Sequence, residues 1–259
     1  MKRKISKFCV ITTQRSGSTW FVELLDSHPD LLVFVDEVMI GKIAHQRNWR
    51  DPRVIPFYEY KKQNPNSVRP WSTFQYLNTL YDFPGEHKAI GFKVMYDQIA
   101  WNPEILVPII LNRFKIIHLV RENSLDILLS KKNAWKKEQR ENNILHTTIE
   151  VKLPAVSLNT SSLLDKLSQQ EAPVQKYEML LKLFPNKVMT VQYDSLLQEK
   201  EKVLNSIAEF LNIKSSGISY KSDLKKISKK GYKEKIANYE EVAKLLEGTK
   251  FAKFLNEDS

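Results

Sequence analysis

A short polar interruption, Gln14-Arg15-Ser16-Gly17-Ser18-Thr19, sets one cation, three serine or threonine hydroxyls beside a glycine, and an amide between two apolar runs. That mixture suits a bound phosphate. The first N–H groups of a helix have no partner inside it and lie at the positive end of its dipole. Gly17 lets an anion come close to the backbone, Ser16, Ser18 and Thr19 add donors, and Arg15 adds a charged fork. The Walker pattern G-x-x-x-x-G-K-[ST] is not met, because Gly17 is followed by Ser18 and the loop has no lysine. Further groups able to do chemistry stand at the ends of other apolar runs: Asp36 and Glu37 after 31–35, Lys93 near the end of 88–95, and Arg121 directly after 114–120. A carboxylate raised by burial could serve as a general base. His28, His45, His87, His118 and His146 are scattered without metal-ligand spacing, so no metal site is expected. The absence of a G-x-S-x-G elbow disfavours a serine hydrolase.

These groups need elements to hold them. Residues 8–13 are apolar or β-branched and predict a strand buried on both faces of a parallel sheet. Trp20, Phe21, Leu24 and Leu25 then follow at helical spacing. A second strand or extended run is predicted at 31–35, an irregular and partly helical excursion over 42–70, and a helix over 71–81. Strands are expected at 88–95, 114–120 and 187–192, and helices at 103–112, 161–184 (broken or kinked at Pro173), 195–211 and 239–246. Between them lies a strand or extended arm at 147–153. His118 inside its strand reads as a satisfied core histidine. Strands alternating with helices, each ending in polar residues, predict an α/β fold: one open parallel sheet with helices on both faces, its ligands outside the carboxyl ends of the strands. One domain over 1–259 accommodates this.

The net charge is +10, and between Lys214 and Lys235 eight lysines against two carboxylates leave six positive charges. Such a field favours anionic ligands; a solvated face or a nucleic-acid surface are its other readings. The single cysteine, Cys9, falls in the first predicted strand, which excludes a disulfide within the chain and fits a reducing compartment. No apolar run approaches the length of a membrane span or a signal peptide's core, so a cytoplasmic protein is expected.

A strand followed by a basic residue, Ser-Gly-Ser-Thr and Trp20 closely resembles the 5′-phosphosulfate loop of sulfotransferases that use 3′-phosphoadenosine 5′-phosphosulfate (PAPS). The resemblance implies their P-loop-like fold and a PAPS donor, with Arg15, Ser16, Gly17, Ser18 and Thr19 on the 5′-phosphate and Trp20 and Tyr193 near the adenine. It implies that Arg121 and Ser130 grip the 3′-phosphate, within RENSLDILLS. Their spacing is one residue longer than the family's usual one, which turns the serine by about 100° on a regular helix and leaves Ser124 as the alternative. That longer spacing is similar to bacterial nodulation-type members. Lys229 and Lys230, before Gly231, resemble the late basic pair that closes over the 3′-phosphate. Lys93 resembles the lysine that reaches the bridging oxygen, and Glu37 the glutamate base of Golgi and several bacterial members, with Asp36 in reserve. The acceptor implied is a hydroxyl of a saccharide, lipid or small molecule, with neither metal, nucleic acid nor membrane span. Two other classes stay open at this point: a P-loop-like nucleoside or sugar kinase, and a nucleic-acid-binding protein using the lysine-rich segment.

Overall fold

The computed structural model describes residues 5–39, 51–83, 85–140, 154–215, 217–224 and 231–256. They form two compact units, one from Met1–Val120 with Lys176–Ser222 and one from Arg121–Gln175 with Asp223–Ser259. The expected arm at 147–153, the 42–50 part of the excursion, and Lys229 and Lys230 lie outside the described residues.

The first unit contains five strands: β1 (Ser6–Thr12), β2 (Leu31–Phe34), β3 (Ala89–Met95), β4 (Lys115–Val120) and β5 (Val188–Gln192). Its helices before β4 are α1 (Ser18–Asp26), α2 (Phe57–Gln63), α3 (Trp71–Tyr81), α4 (Tyr96–Trp101) and α5 (Leu106–Leu111). The strands lie in the order β2-β3-β1-β4-β5, and every pairing is parallel. The apolar run of β1 fits its central place: Phe8, Cys9, Val10 and Ile11 are wholly buried, and Val10 lies opposite Lys93 on one side and Ile117 on the other. Phe8 and Val10 join Phe21, Leu24 and Leu25 of α1 in one core. On the opposite face, Tyr81 of α3 meets Phe92 and Phe114 edge-on, at ring separations of 6.4 and 4.8 Å. Each fully buried side chain of this size contributes about 1.5–3 kcal/mol. Gly91 is opposite Phe8, and a methyl group there would lie 2.3 Å from the Phe8 ring, so the pairing requires glycine. From β1 the chain runs by α1 to the edge at β2, whereas β4 lies on the other side of β1. The crevice outside the carboxyl ends of β1 and β4 is therefore where an open sheet takes its ligand.

The second unit is helical among its described residues. It includes α6 (Ser124–Arg140), the start of α7 (Leu163–Lys182), and, beyond the strand β5 and the helices α8 (Tyr193–Gln198) and α9 (Lys200–Leu211) of the first unit, α10 (Tyr232–Lys235) and α11 (Tyr239–Leu246). Leu125, Leu129, Leu163, Leu167, Val242 and Phe254 belong to its core. Val156 bridges Ile236, and Asn238 brackets Leu158 by accepting from its N–H and donating to its carbonyl, both at 2.9 Å.

The strand, the α3 helix and the α11 helix expectations are met within about two residues, and His118 is a core histidine paired with the Tyr96 hydroxyl. Three expectations are corrected. Of the break or kink expected at Pro173, the break does not occur, since α7 continues through it. The 195–211 helix is two helices, because Glu199, with φ −124° and ψ 45°, leaves helical geometry between α8 and α9. The 103–112 helix begins as a 3-10 turn at Pro103–Ile105, which presents a proline at its first position. No helix among the described residues is long and apolar enough to cross a membrane.

Candidate active site

The loop leaving β1 is built around two left-handed residues, Arg15 at φ 65° and Gly17 at φ 81°. Gly17 caps α1 and, among the described residues, makes no side-chain cap hydrogen bond at that helix start. Its φ is one reason for glycine. The other is Tyr193, the first residue of α8: a methyl group on Gly17 would lie 2.1 Å from the tyrosine ring. Trp20 meets the same ring edge-on at 6.2 Å. The cradle that a Cβ would fill, beside an uncapped helix start, fits a phosphate. Thr12 fastens the loop beneath. Its hydroxyl donates to the Leu119 carbonyl at 2.7 Å, so the proton in its 2.8 Å contact with Ser16 comes from the Ser16 hydroxyl. Ser16 is wholly buried and thus offers an anion its backbone rather than its side chain. Ser18 opens α1 and is also buried.

Lys93 is not the solvated lysine that a strand end usually carries. It is 2% exposed, and its ammonium donates to Thr19 Oγ1 at 3.1 Å, which ties β3 to the first turn of α1. Glu37 follows β2 and accepts a 2.6 Å hydrogen bond from Gln98 Nε2 of α4. Burial pushes its carboxyl above the ordinary carboxylate range, and the charges of Asp97 and Asp36 act the same way, against Lys93 and the Gln98 hydrogen bond. A carboxylate so raised, within the field of a buried lysine tied to the loop after β1, has the chemistry to take a proton from a hydroxyl. Asp36 differs: its Oδ2 accepts from the Asp51 N–H at 2.7 Å. Asp51 accepts from the Val35 N–H and is gripped by Arg53, whose guanidinium also reaches Asp26 and the Val33 carbonyl. This network pins the segment that carries Glu37.

Several contributors escaped the sequence reading. Gln14 donates to Asp97 Oδ2 at 2.8 Å, joining the loop to α4. Tyr96 stacks on Tyr177 at 4.1 Å, and the Tyr177 hydroxyl donates to the Tyr96 carbonyl. Gln98 stands three residues after the end of β3, at the spacing of a capping box, and that spacing was the available signal.

Arg121 and Ser130 belong to the second unit, described separately. Arg121 pairs with Asp126, which also accepts from the Tyr232 hydroxyl at 3.2 Å and lies 4.0 Å from the Lys235 ammonium. Asn123 accepts from the Asp126 N–H at 3.0 Å and so caps α6. Ser124, the alternative to Ser130, is buried, and among the described residues its hydroxyl has no hydrogen-bond partner. Ser130 is half-buried on α6. Among the described residues no group of histidine, cysteine, aspartate and glutamate could hold a metal ion.

A family model described as "Sulfotransferase domain" matches residues 6–257. Among solved structures, a sulfotransferase from Alicyclobacillus acidocaldarius is 13% identical, with 86% of each chain covered at a TM-score of 0.47. Mouse sulfotransferase SULT7A1 complexed with PAP is also 13% identical, covering 98% of this chain and 88% of that one at 0.49. The sulfotransferase domain from the curacin biosynthetic pathway is 16% identical, covering 85% and 77% at 0.46. No curated protein matches the sequence significantly.

Proposed function

This chain belongs to the sulfotransferase family, and from that premise we propose that it moves a sulfuryl group from PAPS to a hydroxyl of a saccharide, lipid or small-molecule acceptor. Membership decides against the kinase class. The observation that carries the mechanism is a carboxylate raised by burial that feels the charge of Lys93, itself hydrogen-bonded to Thr19 of the phosphate-type loop. PAPS, when bound, supplies the sulfuryl group: the acceptor oxygen bonds to sulfur as the bond from sulfur to the 5′-phosphate oxygen breaks.

Glu37 takes the acceptor's proton, for which a carboxyl held above its usual range is better matched than an exposed one. Lys93 neutralises charge on the bridging oxygen, and Arg15 with the backbone of Ser16, Gly17, Ser18 and Thr19 holds the 5′-phosphate. Trp20 and Tyr193 are assigned to the adenine. For the 3′-phosphate we assign Arg121, Ser130, Lys229 and Lys230; a phosphate there would compete with Asp126 for the Arg121 guanidinium. The same proposal treats the whole chain as one sulfotransferase domain, supported by a match over nearly its full length, and places it in the cytoplasm, which suits a chain with a single, buried cysteine.

The test is a screen of hydroxyl acceptors with ³⁵S-labelled PAPS, run beside calorimetry with adenosine 3′,5′-bisphosphate, ATP–Mg and a DNA oligomer. Label transfer and metal-free binding of the bisphosphate are expected. Binding of the oligomer alone, with a steep salt dependence, would move the protein to the nucleic-acid class. Glu37→Gln should leave bisphosphate affinity near wild type and lower kcat by about 100-fold or more; unchanged turnover removes Glu37 from the mechanism.

A further inference from the structure

We propose that Gln98 is the positioning residue for Glu37: its amide fixes the carboxylate at 2.6 Å and sets the pH at which that carboxylate becomes active. This rests on Glu37 being the base. Gln98 is 6% exposed and stands in the first turn of α4. The orientation of its amide is dictated by its neighbours. The Met95 N–H can only donate, and it donates to Gln98 Oε1 at 3.1 Å, so Nε2 must face Glu37 as a donor. Gln98 is thereby held by the end of β3, whereas Glu37 sits outside regular structure after β2. The junction of β3 and α4 thus adds a second anchor to a carboxylate that no regular element holds.

The amide also weighs on protonation. The charged groups acting on Glu37 are Lys93 from β3, Asp97 from α4 and Asp36 from its own segment; Asp97 in turn accepts from Gln14. Two of these three disfavour the carboxylate. An amide N–H donated to it favours the anion, so Gln98 opposes them and keeps the base ionised at a lower pH than it would otherwise require. Loss of the donor should move the acid limb upward. The usual worth of a hydrogen bond to a charged group makes a displacement of about one to two pH units the expected size.

Gln98→Met keeps the length and removes the donor. Gln98→Glu keeps an acceptor for the Met95 N–H, and with it the start of α4, while removing the donor and adding charge; it carries the test if the methionine variant does not fold. Two measurements are made on each: the pH profile of kcat/KM, and the Glu37 titration by NMR with glutamate ¹³C-labelled at the carboxyl, its resonance identified by its absence in Glu37→Gln. The expected result is an upward move of both, larger in Gln98→Glu. A Glu37 titration and an acid limb that stay at their wild-type positions in a folded variant overturn the proposal. If instead the titration moves but Glu37→Gln retains full turnover, Gln98 does couple to Glu37 and it is the base assignment that falls.

Discussion

As the proposed base, Glu37 would couple catalysis to stability at the level of one carboxyl group. Its native-state affinity for a proton is raised, chiefly by burial, so between its unfolded pKa and its higher native one the folded protein holds more protons than the unfolded chain. Stability must fall as pH rises across that window. Glu37→Gln is neutral at every pH and escapes the cost. It should therefore melt higher than wild type at pH 8 and show no such gain below pH 4, as thermal denaturation at the two values would reveal; an equal gain at both would assign the effect to packing. The type and place of Glu37, Lys93 and Arg15 were legible because each ends or follows an apolar run. Gln98 and Asp97 were not, because their role depends on α4 turning back beside a segment about sixty positions earlier. Ser16 shows what spacing hides: its hydroxyl is paired with that of Thr12, a contact visible only once the loop is folded.

At the level of elements, the loop and α1 are shaped from two directions, by a left-handed backbone and by the Tyr193 ring arriving from α8. Gly17→Ala must bear both. A non-glycine residue in this conformation costs about 1–2 kcal/mol, and the ring must move as well. Urea denaturation should show a loss greater than that backbone figure, and calorimetry at least a tenfold loss of adenosine 3′,5′-bisphosphate affinity. Adding Tyr193→Ala should return part of the stability but not the backbone share; a double variant no more stable than Gly17→Ala would show that the ring is not the obstacle. Strand positions could be read from sequence because each is a compact apolar run. The break between α8 and α9 could not, since the apolar periodicity continues across Glu199 while the backbone does not. Pro173 misled for a related reason: its local cost is outweighed by a helix whose buried residues, from Leu163 to Leu181, lie on both sides of it.

Across the molecule, the parallel sheet was legible from the alternation of strands and helices, but the order β2-β3-β1-β4-β5 and the division into two units were not, because neither is encoded by spacing along the chain. The net charge of +10 is a property of the whole chain and favours a multiply charged anion. A ligand bound only by the folded state stabilises it by about 2.7 kcal/mol at one hundred times its Kd. For a chain of this size that corresponds to a rise in Tm of about 5–10 °C with adenosine 3′,5′-bisphosphate. Adenosine carrying no phosphate should give far less, and an equal rise would mean that the phosphates contribute little. One further consequence comes from the centre of the sheet. Cys9 is the chain's sole cysteine, wholly enclosed in β1, with its thiol pushed well above the usual range by burial. Thiolate chemistry is thus silenced throughout the native protein. A cysteine placed at any chosen surface position would accept a maleimide dye or spin label without background, which opens the loop after β1 to distance measurements in solution with no prior removal of native thiols.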